Sequence, residues 1–435
     1  MGSKVHLTIV CCALALSATT VTTMSGFKVE VRAEAERSVT SVLPTGPAVG
    51  DMELSPFYRW DGELPEKPGH LLRKESAPVQ KDLESASEVL RILYTSTDAR
   101  WNSGLLPVSG MLYLPAGPPP AEGWPLIAWG HGTLGIADVC APSWAGLKKR
   151  DAAYVNQWLG AGFAVVATDY QGLGGPGPHP YLYWQSEARS ILDSVRAASA
   201  AAPGRLSGKV VIAGQSQGGG AALGAANLFR EYSPDLEILG VIATAPNSTF
   251  PDGPISLPAR NSANMFFSVA TVGLRDQKRS VEEILSDKGK KLLVTALQGC
   301  TREVGIEAQK LGVKSLADAF SIPLEELAAI RVNATDMPQK TMDIPLLIGT
   351  GLADHTVEPM RQYALVSALC AAGNDVTWRR YDGLDHDGTL NGSFQDSVSF
   401  ARALIEKKRV VAECSQISAP GPVQEPDPHS HHNVD

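Results

Sequence analysis

Residues 210–229 read VVIAGQSQGGGAALGAANLF, and the fold turns on this stretch. Val210 to Ala213 are the apolar, β-rich residues of a buried strand, and Gly219 to Phe229 is an Ala/Gly-rich helix candidate. Between them, Gly214-Gln215-Ser216-Gln217-Gly218 fits G-x-S-x-G. A serine presented on a sharp elbow requires strand, tight turn and helix in this order. Flanking glycines let the backbone turn without Cβ clashes, so the hydroxyl stands above the sheet edge, and the helix N-terminus behind it favours developing negative charge. Ser216 is therefore the expected nucleophile.

A serine hydroxyl attacks poorly near neutral pH unless a base takes its proton, so a histidine must stand beside it. After Ser216 the histidines are His355, His386 and the tail residues His429, His431 and His432. His386 lies in Leu384-Asp385-His386-Asp387-Gly388, just after the last strand run, where such a fold delivers its base. Asp354, beyond the run ending at Ile348, comes between serine and base in chain order and is the expected acid, with Glu358 as the alternative. Asp385 and Asp387 are read as loop-shaping or solvated, and His355 and His131 as structural. The oxyanion that forms during acyl transfer needs preorganised donors. The backbone amides of Gln217, after the nucleophile, and of Thr133, in Gly130-His131-Gly132-Thr133, are the expected pair.

Outward from the elbow, further strand runs appear at Val89–Thr95, Leu106–Leu114, Pro125–Trp129, Phe163–Thr168, Ile238–Ala243, Ile344–Ile348 and Val376–Tyr381, eight in all with Val210–Ala213. The first two are joined by a Gly- and Asn-containing turn at 98–104, and the later ones are separated by helical stretches such as 188–202. This predicts an α/β fold with a mostly parallel sheet and helices on both faces. Residues 88–250 and 340–417 form the expected core. Residues 251–339 carry amphipathic helical patterns without a strong strand and predict a helical cap, with a separate small domain as the alternative. Residues 34–87 are proline-rich and predict an arm that wraps the surface without entering the sheet.

The basic start and apolar run at Val5–Ala18 predict an export signal within residues 1–33, cut between about 18 and 33. Setting aside Cys11 and Cys12 leaves Cys140, Cys300, Cys370 and Cys414, which in an exported chain suggest two disulfides. Three pairings are possible. Cys370 with Cys414 and Cys140 with Cys300 is preferred, the first near the ends of late helices and the second tying an active-site loop to the cap. Residues 418–435, polar and proline-rich, predict a disordered tail whose histidines hold no metal. Across 435 residues the net charge is −8, which argues against nucleic acid or an anionic membrane as partner, since both require a positive field.

Several blocks together resemble the secretory lipase family, of lipase-A type: Pro56-Phe57-Tyr58 with Pro68-Gly69, His131-Gly132-Thr133 with Cys140-Ala141-Pro142-Ser143, Asp169 to Gly174, His179-Pro180-Tyr181, and Gly214 to Gly219. The resemblance implies an α/β-hydrolase fold with an inserted cap forming the acyl pocket, secreted acyl-ester hydrolysis, and the triad Ser216, Asp354 and His386. The expected substrate is a small-molecule or lipid ester, with no metal or organic cofactor. Any contact with a lipid interface would be transient, a monomer is favoured, and the location is secreted or periplasmic. A serine peptidase of the same fold and a catalytically silent binding module are the rival readings.

Overall fold

The computed structural model describes residue 43 and residues 46–247, 266–267, 280–323, 325–327 and 337–433. The export-signal expectation, and much of the expected cap, lie outside the described residues.

The strands are β1 Leu71–Ser76, β2 Ala86–Thr97, β3 Leu105–Pro115, β4 Trp124–Gly130, β5 Ala164–Thr168, β6 Leu206–Gln215, β7 Glu237–Thr244, β8 Leu346–Gly351 and β9 Val376–Tyr381. They form one sheet in the order β1-β2-β3-β5-β4-β6-β7-β8-β9. From β1 to β5 neighbours pair antiparallel, and from β5 to β9 they pair parallel. The central parallel strands are buried on both faces, which is why Val165, Val166, Ile212 and Val241 appear in unbroken apolar runs. Each such side chain taken out of water stabilises the fold by about 1.5–3 kcal/mol.

The helices are α1 Pro142–Ala145, α2 Lys149–Gly160, α3 Trp184–Ala201, α4 Gln217–Tyr232, α5 Val281–Ile284, α6 Asp287–Ala296, α7 Thr301–Lys310, α8 Pro359–Ala371, α9 Gly388–Gly392 and α10 Phe394–Ile405. Helices α3, α4 and α8 pack on one face of the sheet through Ile191, Leu192, Leu223 and Val366. Helices α2 and α10 cover the other through Val155, Trp158, Val398 and Phe400. This is the α/β-hydrolase arrangement.

Two expectations are corrected. The arm does build sheet: β1 pairs antiparallel with β2 at the edge. Its sequence, LLRKES, has its polar end exposed, as edge strands often do, so no alternation marks it. The tail is not disordered through residue 433: it runs along the loops after β8 and β9, held by polar side chains and backbone groups that no apolar period reveals. A smaller difference is that the strand expected from Ile344 begins at Leu346, since Pro345 has no N–H to donate to a ladder.

Helices α5 to α7 pack Val281, Ile284, Leu292 and Leu293 in one cluster with Ile136, Tyr181 and Leu182. A bridge between Gly135 and Cys300 and the Cys140–Cys300 disulfide fasten them to the loop after β4. The second disulfide joins Cys370, in α8, to Cys414.

Candidate active site

Ser216 occupies the turn between β6 and α4 with φ 57° and ψ −115°. A positive φ at a non-glycine residue costs on the order of 1–3 kcal/mol and persists only where the surroundings enforce it. Here the Ser216 N–H donates to the Thr244 carbonyl at 2.9 Å, and its own carbonyl accepts from Asn247 at 3.0 Å and Gly220 at 3.1 Å. A Cβ at Gly218 would overlap the Gly130 carbonyl oxygen, and one at Gly214 the Gly218 oxygen. The ends of β4 and β6 and the first turn of α4 thus meet backbone to backbone, and Ser216 has nowhere else to go.

His386 and Asp354 meet directly, Nδ1 to Oδ2 at 2.8 Å. With Nδ1 donating to the carboxylate, Nε2 is left as an acceptor, the form a general base needs. Asp354 is fully buried, and its second oxygen accepts from the Thr356 and Val357 amides at 2.7 and 2.8 Å. Gln362, on α8, donates to Asp354 Oδ2 at 3.1 Å and to the Val357 carbonyl at 2.6 Å, while its own oxygen accepts from Thr350. Among the described residues no hydrogen bond joins the Ser216 hydroxyl to the His386 ring, a contact that is often long without substrate. The link between the two is Gln215, next to the nucleophile, whose Nε2 donates to the His386 carbonyl at 3.1 Å.

Gln217 opens α4, and among the described residues neither its N–H nor that of Thr133 has a hydrogen-bond acceptor. The Gln217 side chain is buried and anchored: its Nε2 lies 2.7 Å from Glu187 Oε1 and 3.1 Å from His179 Nε2. Burial lowers His179 to about 3, so its imidazole is neutral, and Nδ1 donates to the Gln171 carbonyl at 2.7 Å. Burial raises the Glu187 carboxyl to about 8. Thr133 Oγ1 lies 2.6 Å from the Tyr181 hydroxyl.

Asp385 accepts from the Gly388 amide at 2.7 Å and shapes the His386 loop, while Asp387 is paired with Arg150. His355 bonds the Gln424 carbonyl at 3.2 Å. His131 is buried, which lowers its pKa, and its neutral ring has one N–H to donate, with Nδ1 2.7 Å from the Gly132 carbonyl and Nε2 3.3 Å from the Asp169 carbonyl. Asp169, raised by burial, accepts from Ser109 and Ser143, and the Tyr170 hydroxyl donates to the His131 carbonyl, so both act as clamps beneath the site. Sequence reading did not single out Gln362, Gln215, Glu187 or Arg150. Each is an ordinary polar residue whose role depends on where the chain returns. Among the described residues no cluster of His, Cys, Asp and Glu is arranged to hold a metal, and no helix is long and apolar enough to cross a membrane.

A family model for secretory lipases matches residues 145–389, a span that contains Ser216, Asp354 and His386. A Mycobacterium tuberculosis protein that bears the name "Probable inactive lipase" is 25% identical over 383 residues, covering 80% of this chain and 79% of its own. Among solved structures, Candida antarctica lipase A matches with a TM-score of 0.63 at 18% identity, over 82% of this chain and 85% of that one. The rice cell wall degrading esterase LipA from Xanthomonas oryzae matches at 0.59 and 18%, over 79% of this chain and 100% of that one. These structural likenesses speak to the fold alone. The family implies lipid esters as substrates in general. On the extent of the family match, the chain belongs to the secretory lipase family.

Proposed function

We propose that the protein is a secreted carboxylic-ester hydrolase with Ser216, Asp354 and His386 as its triad. The observation that carries this reading is the 2.8 Å pairing of His386 with a buried Asp354, in a loop hydrogen-bonded to the residue beside a strained, elbow-mounted Ser216. As Ser216 attacks the ester carbonyl, its proton passes to His386 Nε2, and the oxygen gains negative charge against the Gln217 and Thr133 amides and the α4 N-terminus. The C–O bond to the alcohol then breaks, with His386 returning the proton to the leaving oxygen. Water repeats the sequence on the acyl-enzyme, releasing the acid and restoring the serine. Asp354 holds the histidine tautomer and balances the imidazolium charge. Helices α5 to α7, within the expected cap of residues 251–339, are read as cover for the acyl chain. Export is supported by the apolar N-terminal run and the two disulfides.

A second reading, a binding module that no longer turns over, is favoured by the name of the mycobacterial relative. One experiment separates the two: hydrolysis of p-nitrophenyl esters from acetate to palmitate by purified protein beside its Ser216→Ala variant. The proposal expects turnover that the variant lacks, and the preferred chain length distinguishes an esterase from a lipase. No turnover on any ester supports the silent module.

A further inference from the structure

The C-terminal segment contributes nothing to the reaction as described, yet it touches both loops that carry the acid and the base. Gln424 donates its N–H to the Leu352 carbonyl at 2.8 Å and accepts from His355 at 3.2 Å, which places it on the loop of Asp354. Its side chain reaches the other loop: Oε1 accepts from the Gly383 amide at 2.8 Å and Nε2 donates to Asp382 at 2.9 Å. Nine residues on, Asn433 Oδ1 accepts from the amide of Asp385, the residue before His386, at 3.0 Å, and Nδ2 donates to the Gly383 carbonyl at 2.8 Å. Asp427 adds a backbone bond to that same carbonyl at 2.9 Å. The fit is close, since a Cβ at Gly388 would overlap Asn433 Oδ1.

We propose that residues 424–433 are a strap that sets the distance between the Asp354 and His386 loops, with Gln424 and Asn433 as its positioning residues. The two loops follow different strands, β8 and β9, and Gln424 bonds the backbone of both. Beyond β9, residues 382–387 are free of sheet pairing; a direct backbone bond, from the Ala353 N–H to the Leu384 carbonyl at 3.0 Å, joins the two loops, and the strap adds five further bonds to residues 382–385. The proposal rests on the reading of His386 as the base. It goes beyond that reading by giving the tail a task in catalysis, namely to keep the histidine ring facing Asp354 and the serine.

The test uses Gln424→Ala and Asn433→Ala in the full chain, with Gln416→Ala, an exposed residue upstream of the strap, as control. A base displaced by about 1 Å loses up to a hundredfold in rate. Both strap variants should therefore lose about ten- to a hundredfold in kcat with KM unchanged, at a temperature where their near-UV circular dichroism matches the parent, while Gln416→Ala stays at the parental rate. A second readout needs no turnover: the low-field proton resonance of His386 Nδ1–H, assigned by its disappearance in His386→Ala, should broaden or vanish in both strap variants. Parental kcat, or an unaltered resonance, in Gln424→Ala and Asn433→Ala overturns the strap. If the parent hydrolyses no ester but the resonance is lost on cutting the strap, the strap stands and the esterase reading falls.

Discussion

Ser216 and the His386–Asp354 pair are held by two different kinds of structure. The proposed nucleophile is fixed by its own neighbourhood: a strand, a turn of the single residue Ser216 and a helix, packed so closely that Gly214 and Gly218 tolerate no side chain. The proposed acid and base are fixed by other segments: by Gln362 on α8, by Gln215 across the sheet end and by a tail that arrives after α10. Local geometry of the first kind is written in consecutive residues. The second kind depends on polar contacts between residues 8 to 171 positions apart, each worth only about 1 kcal/mol net.

The contrast is tested most severely at Gly218→Ala. The added methyl must displace the Gly130 carbonyl, backbone against backbone, at a cost on the order of 3 kcal/mol. Thermal unfolding should show a lower melting temperature together with lost ester turnover. A variant that melts like the parent would mean that the elbow is looser than its packing implies.

Gln362→Ala probes the second kind of support. It removes one of the donors to Asp354 and leaves Thr350 without its acceptor, so kcat should fall about tenfold, equivalent to ~1.4 kcal/mol, with KM little changed. An unchanged kcat would show that the Thr356 and Val357 amides hold the carboxylate unaided.

The smallest effect concerns Glu187, which joins the two regimes by anchoring Gln217. Its carboxyl titrates near 8 in the folded protein against 4.5 ordinarily. Between those values the folded state holds a proton that the unfolded state has released, so stability from this group is full below about 4.5 and is lost as pH rises toward 8. Glu187→Gln cannot ionise and keeps an oxygen for both donors. Its melting temperature should match the parent's near pH 5 and exceed it by a few degrees at pH 8–9. A gap that does not vary with pH would mean that Glu187 is not protonated in the fold.

This division also explains what could be read before the fold was known. The parallel strands were legible because Val165-Val166 and Val241-Ile242 are buried on both faces and leave continuous apolar runs. The elbow was legible because its glycines are adjacent. By contrast, β1 lacks alternation because one end faces solvent, and the start of α3 is hidden because its cap, Tyr183, offers no side-chain bond. The tail looked disordered because Gln424 and Asn433 act through hydrogen bonds rather than apolar burial, and polar composition alone does not distinguish a strap from a frayed end.

The central claim is that Ser216 is a nucleophile activated by His386. The measurement that reaches it most directly is the intact mass and peptide map of the purified protein after exposure to a fluorophosphonate. The account predicts one adduct per chain, on Ser216, formed much more slowly in His386→Ala and absent in Ser216→Ala. No adduct, or one on another residue, would contradict it.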